Sequence, residues 1–158
     1  MAARLQGTNA QLIEADAVRV WSIVEDAGRL PEWVPVVSDV VQAGAREKQG
    51  SVRRCNVEMG RKRGYIVERC VEAVPERRLS HAVDDDSLGF SKLFESYSFA
   101  LSLGPDPRGT LVTCETYYEP RGPLSRIMNV LVMRRKFDGV RRELLYGLKR
   151  LAEGGGPC

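Results

Sequence analysis

One histidine and four cysteines are the residues in this chain best suited to acid–base, nucleophilic or metal chemistry. His81 lies in a strand-like segment close to Asp84 and Asp85, a combination that permits general acid–base catalysis. Cys114 permits nucleophilic catalysis, but no motif places a base beside it. A lone histidine on a strand is more often structural, and a free cysteine usually packs as a small hydrophobic residue. These positions therefore define no catalytic residue.

The spacing of the cysteines also argues against a metal centre. Cys55, Cys70, Cys114 and Cys158 form no pair with two intervening residues, and a single histidine cannot complete a usual ligand set. Residues 1–10 lack the apolar segment of an export signal, so we expect reduced thiols in a cytoplasmic protein. We predict no metal and no cofactor.

The composition is that of a globular protein. The 158 residues are 43% hydrophobic and 28% charged, enough for one domain with a core and too few for two of ordinary size. The net charge of +3 permits an anionic partner without demanding nucleic acid. No stretch reaches the roughly 18 to 20 apolar residues of a membrane span. We predict one domain over 1–153 and a disordered tail over 154–158, with no nucleic-acid binding and at most transient contact with a membrane surface.

Hydrophobic periodicity predicts the elements that position these residues. Gln6 to Ile13 predicts a first strand, Asp16 caps a helix that ends near Gly28, and Leu30 to Trp33 predicts a second short helix. Six further strands follow, separated by glycine and proline turn signals: 36–43, 51–59, 64–74, 78–84, 94–103 and 110–118. These short spacings favour an antiparallel meander.

The last third of the chain carries an apolar stripe at steps of three and four residues, which predicts a helix of roughly eight turns. Gly139 and Gly147 lie within it, and each weakens it by about 1 kcal/mol relative to alanine, so a bend is expected there. The stripe consists of Ile127, Val130, Met133, Phe137, Val140, Leu144, Leu148 and Leu151. We predict an α+β fold in which a curved seven-stranded antiparallel sheet wraps this helix and leaves a pocket between them.

Four segments, in this order, resemble the START-like (SRPBCC) superfamily of polyketide cyclases, lipid-transfer START domains and the birch-pollen allergen. They are 15–21 with its Val-Trp pair, Asp26 followed by Trp33, Glu68 to Leu79, and 109–122 before the long helix. The resemblance covers Leu5 to Glu153. It implies a helix-grip fold with an apolar or amphipathic ligand beneath the long helix, but no one reaction, because a fold hosts many functions.

Strand alternation predicts which side chains face the pocket. Glu115 should face water, which turns Cys114 inward; by the same reasoning Glu68 faces outward. The predicted ligand-binding residues are Trp33, Val37, Cys55, Val57, Met59, Tyr65, Val67, Tyr97, Phe99, Cys114, Thr116, Tyr118, Met133 and Phe137. The alternative is that these side chains fill one another's space.

The sequence therefore predicts binding or transport of a lipid, isoprenoid or polyketide-like molecule in an internal cavity. The main alternative is a cyclase or aromatase that orients a bound poly-ketone chain with an acid or base such as Tyr118, His81 or an arginine. A third is a protein-interaction module. The loop 84–92 either gates the pocket or simply connects two strands, and the turn 60–64 either touches anionic lipid or is a solvated hairpin tip. The ligand, any catalysis and the oligomeric state stay open.

Overall fold

The computed structural model describes residues 3–42 and 46–154. In this part of the chain, seven strands form one antiparallel sheet in the order β1-β7-β6-β5-β4-β3-β2. The strands are β1 (Leu5–Ile13), β2 (Val37–Gln42), β3 (Val52–Met59), β4 (Lys62–Val74), β5 (Arg78–Asp86), β6 (Phe94–Asp106) and β7 (Gly109–Pro120). Strands β2 to β7 each pair with their neighbours in sequence, while β1 pairs with β7. The predicted helix-grip α+β fold is confirmed.

Two short helices follow β1, as predicted. α1 (Ala17–Val24) begins after Asp16, whose carboxylate accepts a hydrogen bond from the backbone N–H of Arg19 at 2.8 Å. A short 3-10 turn leads into α2 (Leu30–Trp33), which has a proline in its first turn. A third short helix, α3 (Phe90–Leu93), lies between β5 and β6 and was not predicted.

The C-terminal helix is 33 residues long and starts earlier than its apolar stripe predicts. It consists of α4 (Gly122–Met128), a π-helical turn (Asn129–Met133) and α5 (Arg134–Gly154). α5 continues through Gly139 and Gly147, and the break in the α-helical pattern lies in the π turn; the bend expected at the glycines stays a prediction. In the π turn, Asn129 is buried and accepts a hydrogen bond from the Tyr118 hydroxyl, a tertiary contact that glycine content cannot indicate.

The predicted apolar stripe is buried or half-buried only from Met133 onwards. Met133, Phe137 and Leu148 pack inward, whereas Ile127 is 56% exposed and Val130 is 60% exposed. The prediction that the stripe is buried from its first turn is therefore wrong, because α4 makes few contacts with the sheet.

Two buried clusters hold the fold together. The larger joins α1, α2, α5 and the inner face of the sheet, and the smaller is aromatic. We call the second the aromatic cluster; it consists of Phe90, Phe94, Tyr97, Tyr118, Met133 and Phe137. α5 reaches α2 closely because position 147 is glycine: a Cβ there would collide with the Trp33 carbonyl oxygen.

The described residues include no helix that is both long and apolar enough to cross a membrane. Of the predicted tail, Gly154 ends α5, while 155–158 lie outside the described residues. The predicted strand end Ala43 lies outside them as well.

Candidate functional site: a cavity beneath the C-terminal helix

A cavity of about 130 Å³ lies between the sheet and α5. Every strand from β2 to β7 contributes to its wall, together with α1, α2, α3 and α5, and most of the lining side chains are apolar. Its volume suits a molecule of about the size of benzene. Larger guests require wall side chains to move.

An open groove of about 790 Å³ lies beside the β6–β7 turn. Its wall includes the charged side chains of Glu14, Asp16, Glu76 and Arg77, and it faces solvent rather than enclosing a ligand. The smaller internal cavity is therefore the candidate site.

Most of the predicted ligand-binding residues come together in this wall. Tyr118 and Met133 do not line the cavity and lie in the adjoining aromatic cluster. The residues that do line it are Trp33, Val37, Cys55, Val57, Met59, Tyr97, Phe99, Cys114, Thr116 and Phe137.

The placement of Tyr65 and Val67 in the wall is wrong. Ile66 and Glu68 line the cavity instead, so the alternate side chains of β4 point to the opposite face. There the Arg54 guanidinium lies 4.1 Å from the centre of the Tyr65 ring. The prediction turned Glu68 outward as a charged residue, but Glu68 is buried because an arginine neutralises it.

That arginine is Arg53, which lies between two buried carboxylates. Its Nε is 2.6 Å from Oε2 of Glu68 and its Nη1 is 2.7 Å from Oε1 of Glu47. His81 completes the group, with Nε2 3.2 Å from the same Glu47 oxygen and its ring stacked on Phe99 at 5.5 Å. Such buried charges are tolerated because they are paired. Strand alternation could have predicted that Arg53 faces inward, because it lies two residues before Cys55 on the same face of β3.

The environment sets the protonation of these groups. Burial lowers the pKa of His81, and the charge of Arg53 lowers it further, so the imidazole is neutral at pH 7. Burial opposes ionisation of Glu47, but His81 and Arg53 offset this and hold its pKa below the usual value. Burial raises the pKa of Cys55 and of Cys114 to about 12, so both thiols are protonated at neutral pH. Neither is an activated nucleophile.

Three of these side chains could hold a metal ion. The ligand atoms of Glu47, Cys70 and His81 are buried and lie within 4.8 Å of one another. Arg53 already supplies a positive charge to Glu47, and burial raises the pKa of Cys70, whereas a metal needs the thiolate. The donor set therefore fits a metal only if Arg53 moves aside.

A second buried arginine, Arg141 of α5, lines the cavity beside β7. Its Nη1 donates a hydrogen bond to the Thr116 hydroxyl at 2.9 Å and its Nε donates to Oδ1 of Asn9 at 2.6 Å. Arg141 was not among the predicted residues, although it lies four residues after Phe137 and so shares its helical face.

The loop 84–92 is held by one side chain and supplies part of the wall. The Asp86 carboxylate accepts hydrogen bonds from the backbone N–H groups of Leu88, Phe90 and Ser91 at 2.8, 2.9 and 3.1 Å. The Phe90 ring lines the cavity. The prediction that this loop gates the pocket stays a prediction.

Residues 4–153 match the family described as "Polyketide cyclase / dehydrase and lipid transport". The chain belongs to this family. The predicted START-like resemblance is thereby confirmed. The family description covers both lipid transport and cyclase activity, so membership supports a ligand-binding or cyclase-like protein without choosing a substrate.

Solved structures with similar folds agree with this assignment. A START superfamily protein from Mycobacterium smegmatis has 17% identity and a TM-score of 0.74, covering 95% of this chain and 98% of its own. A Streptomyces aromatase/cyclase has 16% identity and a TM-score of 0.72, with 98% and 99% covered. A Thermus thermophilus protein has 19% identity and a TM-score of 0.74, with 92% and 94% covered. At these identities the likeness shows the fold alone. No curated protein matches the chain significantly.

Proposed function

We propose that the protein binds or carries an apolar or amphipathic small molecule in the cavity beneath its C-terminal helix. The observation that carries this proposal is a partly enclosed cavity with a mostly apolar wall, to which Arg53, Glu68, His81, Thr116 and Arg141 add polar groups. Burying a ligand there contributes about 25 cal/mol per Å² of apolar surface before the costs of association.

The cavity must widen for a ligand larger than a single ring. Met59, Phe90 and Phe137 line it and also pack in or against the aromatic cluster, so they are the side chains that such a ligand would displace. Methionine is the most adaptable of them, because it is unbranched and has three rotatable bonds.

Native mass spectrometry of the protein purified from its own host tests this proposal. We expect a stoichiometric apolar adduct that organic extraction releases. Phe137→Asp puts a charge into the wall and should abolish the adduct, with folding checked by circular dichroism. Tyr146→Asp makes the same change on the 58% exposed side of the helix and should retain it. An unliganded wild-type protein that also binds no added apolar probe would contradict the proposal.

A cyclase or aromatase is the second candidate, and the polar groups of the cavity wall favour it. A neutral His81 can accept a proton, and Arg141 can polarise a ketone. Burial raises the pKa of Tyr97, so its hydroxyl stays protonated and can donate a hydrogen bond to the substrate. Tyr118, the acid considered from the sequence, has its hydroxyl bonded to Asn129 outside the wall.

A synthetic poly-β-ketone thioester, with products followed by liquid chromatography and mass spectrometry, separates the two candidates. A cyclase should form a cyclised product, and His81→Gln or Tyr97→Phe should abolish turnover while leaving substrate affinity nearly intact. A carrier should bind the compound and return it unchanged.

A further inference from the structure

Arg141 brings an incompletely neutralised positive charge into the wall of a mostly apolar cavity. The residue is 6% exposed, and its two hydrogen bonds, to Asn9 and Thr116, both go to neutral acceptors. A guanidinium has five N–H donors. Two bonds to neutral oxygens leave it with spare donors and no charge partner at hydrogen-bond distance among the described residues.

The carboxylate nearest to Arg141 is shared with other groups. Oδ1 of Asp138 lies 3.8 Å from Nη2 of Arg141, too far for a hydrogen bond. Asp138 also accepts a hydrogen bond from Asn9 at 3.0 Å and pairs with Arg142 at 3.0 Å. Arg53, by contrast, touches two carboxylates of its own at 2.6 and 2.7 Å. A buried charge is costly unless it is paired, so Arg141 is the cation of this wall that gains most from an added anion.

The strand opposite Arg141 is built to admit it. Position 7 on β1 is glycine, and a Cβ there would collide with the guanidinium. The pairing of β1 with β7 shifts register between Leu5 and Gly7, next to this position. The backbone of β1 therefore leaves space for the Arg141 guanidinium at Gly7.

We infer that Arg141 binds an anionic oxygen group of the ligand, so that the ligand is an apolar body carrying a carboxylate or a comparable anion. The inference rests on the proposed function and names the ligand class of the same cavity. Charge-assisted hydrogen bonds from arginine to a carboxylate are about twice as strong as neutral ones, which would fix the orientation of the ligand.

Titration with 4-phenylbutyrate and with its uncharged analogue 4-phenylbutanamide, followed by NMR of the labelled protein, tests the inference. The two probes share one ring and one chain length and differ in charge. We expect the carboxylate to bind at least about 10-fold more tightly to the wild type, as hydrogen bonds to charged groups predict. Arg141→Gln should remove this preference and leave the affinity for the amide nearly unchanged.

Arg142→Gln is the matched control. It removes the same charge from the next residue, whose side chain is 73% exposed, and should leave the preference intact. Equal binding of both probes by the wild type, or a preference that survives in Arg141→Gln, overturns the inference but not the proposed function. If neither probe shifts the resonances of cavity residues, the inference is overturned, and the proposed function falls with it when the purified protein also carries no ligand.

A separate observation concerns the outside of the molecule, where the start of the C-terminal helix exposes an apolar face. Leu124 is 75% exposed, Leu131 66%, Val130 60% and Ile127 56%, while Asn129 and Met133 on the opposite side are buried. Contiguous exposed apolar surface of this kind usually marks an interaction site. We call it the apolar helix face.

The charged residues around the apolar helix face are all positive and favour an anionic partner. Residues 121–137 contain the cations Arg121, Arg126, Arg134, Arg135 and Lys136 and no aspartate or glutamate. A second copy of the chain would bring the same positive charge against this face. A surface of anionic lipid offers both the apolar interior and the opposite charge that an amphipathic basic helix binds.

This face is connected to the wall of the cavity. The Arg121 side chain donates hydrogen bonds to the carbonyl oxygens of Ser91 and Phe94 at 2.8 and 3.2 Å, which ties the start of the helix to α3. Phe90 of α3 lines the cavity. We propose that the apolar helix face docks on an anionic bilayer, so that α3 faces the lipid surface.

Cosedimentation with vesicles tests this proposal, using phosphatidylcholine alone or with 30% phosphatidylglycerol. We expect binding only to the anionic vesicles. Leu124→Ser/Leu131→Ser should weaken it at least about 10-fold, whereas Val18→Ser/Tyr146→Ser, at positions 60% and 58% exposed elsewhere, should not. Arg134→Gln/Arg135→Gln should weaken binding about 30-fold, since each cation near the surface raises the affinity by a factor of about five.

Arg46→Gln/Arg108→Gln is the control for charge, because it removes two exposed arginines elsewhere, and it should bind as the wild type does. Absence of binding to anionic vesicles, or equal loss in the control pairs, overturns the proposal. A dimer in light scattering that Leu124→Ser/Leu131→Ser dissociates would assign the face to a second copy instead and equally overturn it.

Discussion

Arg53 lies between Glu47 and Glu68, and the three charges depend on one another. All are buried, and the guanidinium reaches each carboxylate at less than 3 Å. Breaking a buried pair leaves a charge that neither water nor a partner compensates. This part of the sheet therefore depends for its stability on Arg53, although arginine is a residue type that usually lies at the protein surface.

Replacing Arg53 should destabilise the protein strongly. Arg53→Met leaves two buried carboxylates without their cation, and we expect the free energy of unfolding in urea to fall by about 3 to 5 kcal/mol. Arg54→Met, the next residue on the exposed face, loses only its contact with Tyr65 and should cost less than about 1 kcal/mol. Equal losses in the two variants would mean that the Arg53 pairs contribute little.

His81 should make stability depend on pH in a defined window. Its pKa is lowered in the folded protein, so the unfolded chain binds the proton first as the pH falls below about 6.5. This contribution to stability is complete above that pH and is lost below it, by at most about 1.4 kcal/mol per pH unit. Urea unfolding at pH 7.5 and 5.5 should show the loss in the wild type. In His81→Gln, the difference in the free energy of unfolding between pH 7.5 and 5.5 should be smaller. If that difference is the same as in the wild type, His81 is not its source. The lowered pKa of Glu47 places its contribution at more acidic pH.

Alternation along β3 and β7 predicts most of the wall residues on those strands, such as Cys55 and Cys114, although Tyr118 lies beside the wall and the inward Arg53 was not predicted. It fails on β4, where Glu68 turns inward. Residue type indicates the cost of burying a charge, but not whether another strand supplies a counter-charge. Arg53 comes from β3, and its reach to Glu68 is known only once the strands are paired.

Among the helical elements, two glycines in α5 have opposite surroundings. A Cβ at Gly139 would meet no atom within 4 Å, whereas a Cβ at Gly147 would collide with the backbone of Trp33 in α2. Gly147 thus sets how closely the helix approaches the element that carries one wall of the cavity.

The substitutions Gly139→Ala and Gly147→Ala should therefore change the free energy of unfolding in opposite directions. Alanine at 139 should raise the free energy of unfolding by about 0.5 to 1 kcal/mol, because it restricts the unfolded chain and suits a helix. Alanine at 147 should lower it by about 1 to 3 kcal/mol, because the packed backbone must move. Urea unfolding of both variants checks this, and stabilisation by both would show that α2 is not held against α5.

Element by element, periodicity predicts the strands and the existence of the long helix, because apolar alternation and the step of three and four residues reflect burial directly. It does not predict where burial stops. Ile127 and Val130 continue the stripe in sequence but project beyond the sheet. α3 has too few residues to show a period, and its backbone is held by the Asp86 carboxylate.

At the scale of the whole molecule, the labelling rates of three buried thiols measure how often the protein unfolds globally. Cys55, Cys70 and Cys114 are at most 2% exposed, and burial raises the pKa of each. In a Cys158→Ser background, a disulfide reagent should label all three at one slow rate, that of global unfolding, and rapidly in denaturant. Fast labelling of a single thiol under native conditions would reveal local opening beside it.

The fold of the whole chain was predictable because several weak motifs occur in the right order along it. The size of the cavity was not, because it depends on how far Phe137, Phe90 and Met59 fill the space between sheet and helix, and a change in one rotamer alters it. The position of the Arg141 guanidinium depends on the absence of a side chain at Gly7, which no local sequence pattern connects to α5.

The order of strands also has a consequence for how the protein is made. β1 leaves the ribosome first but pairs with β7, and the hydrogen bond from the Gln6 side chain to the Tyr118 carbonyl spans 112 residues. Contacts this distant in sequence form slowly, and during synthesis the apolar faces of β3 to β6 are complete before the helix that covers them. Newly made chains therefore expose apolar strand faces over that interval, and slowing translation after β7 should lengthen the time in which they can aggregate.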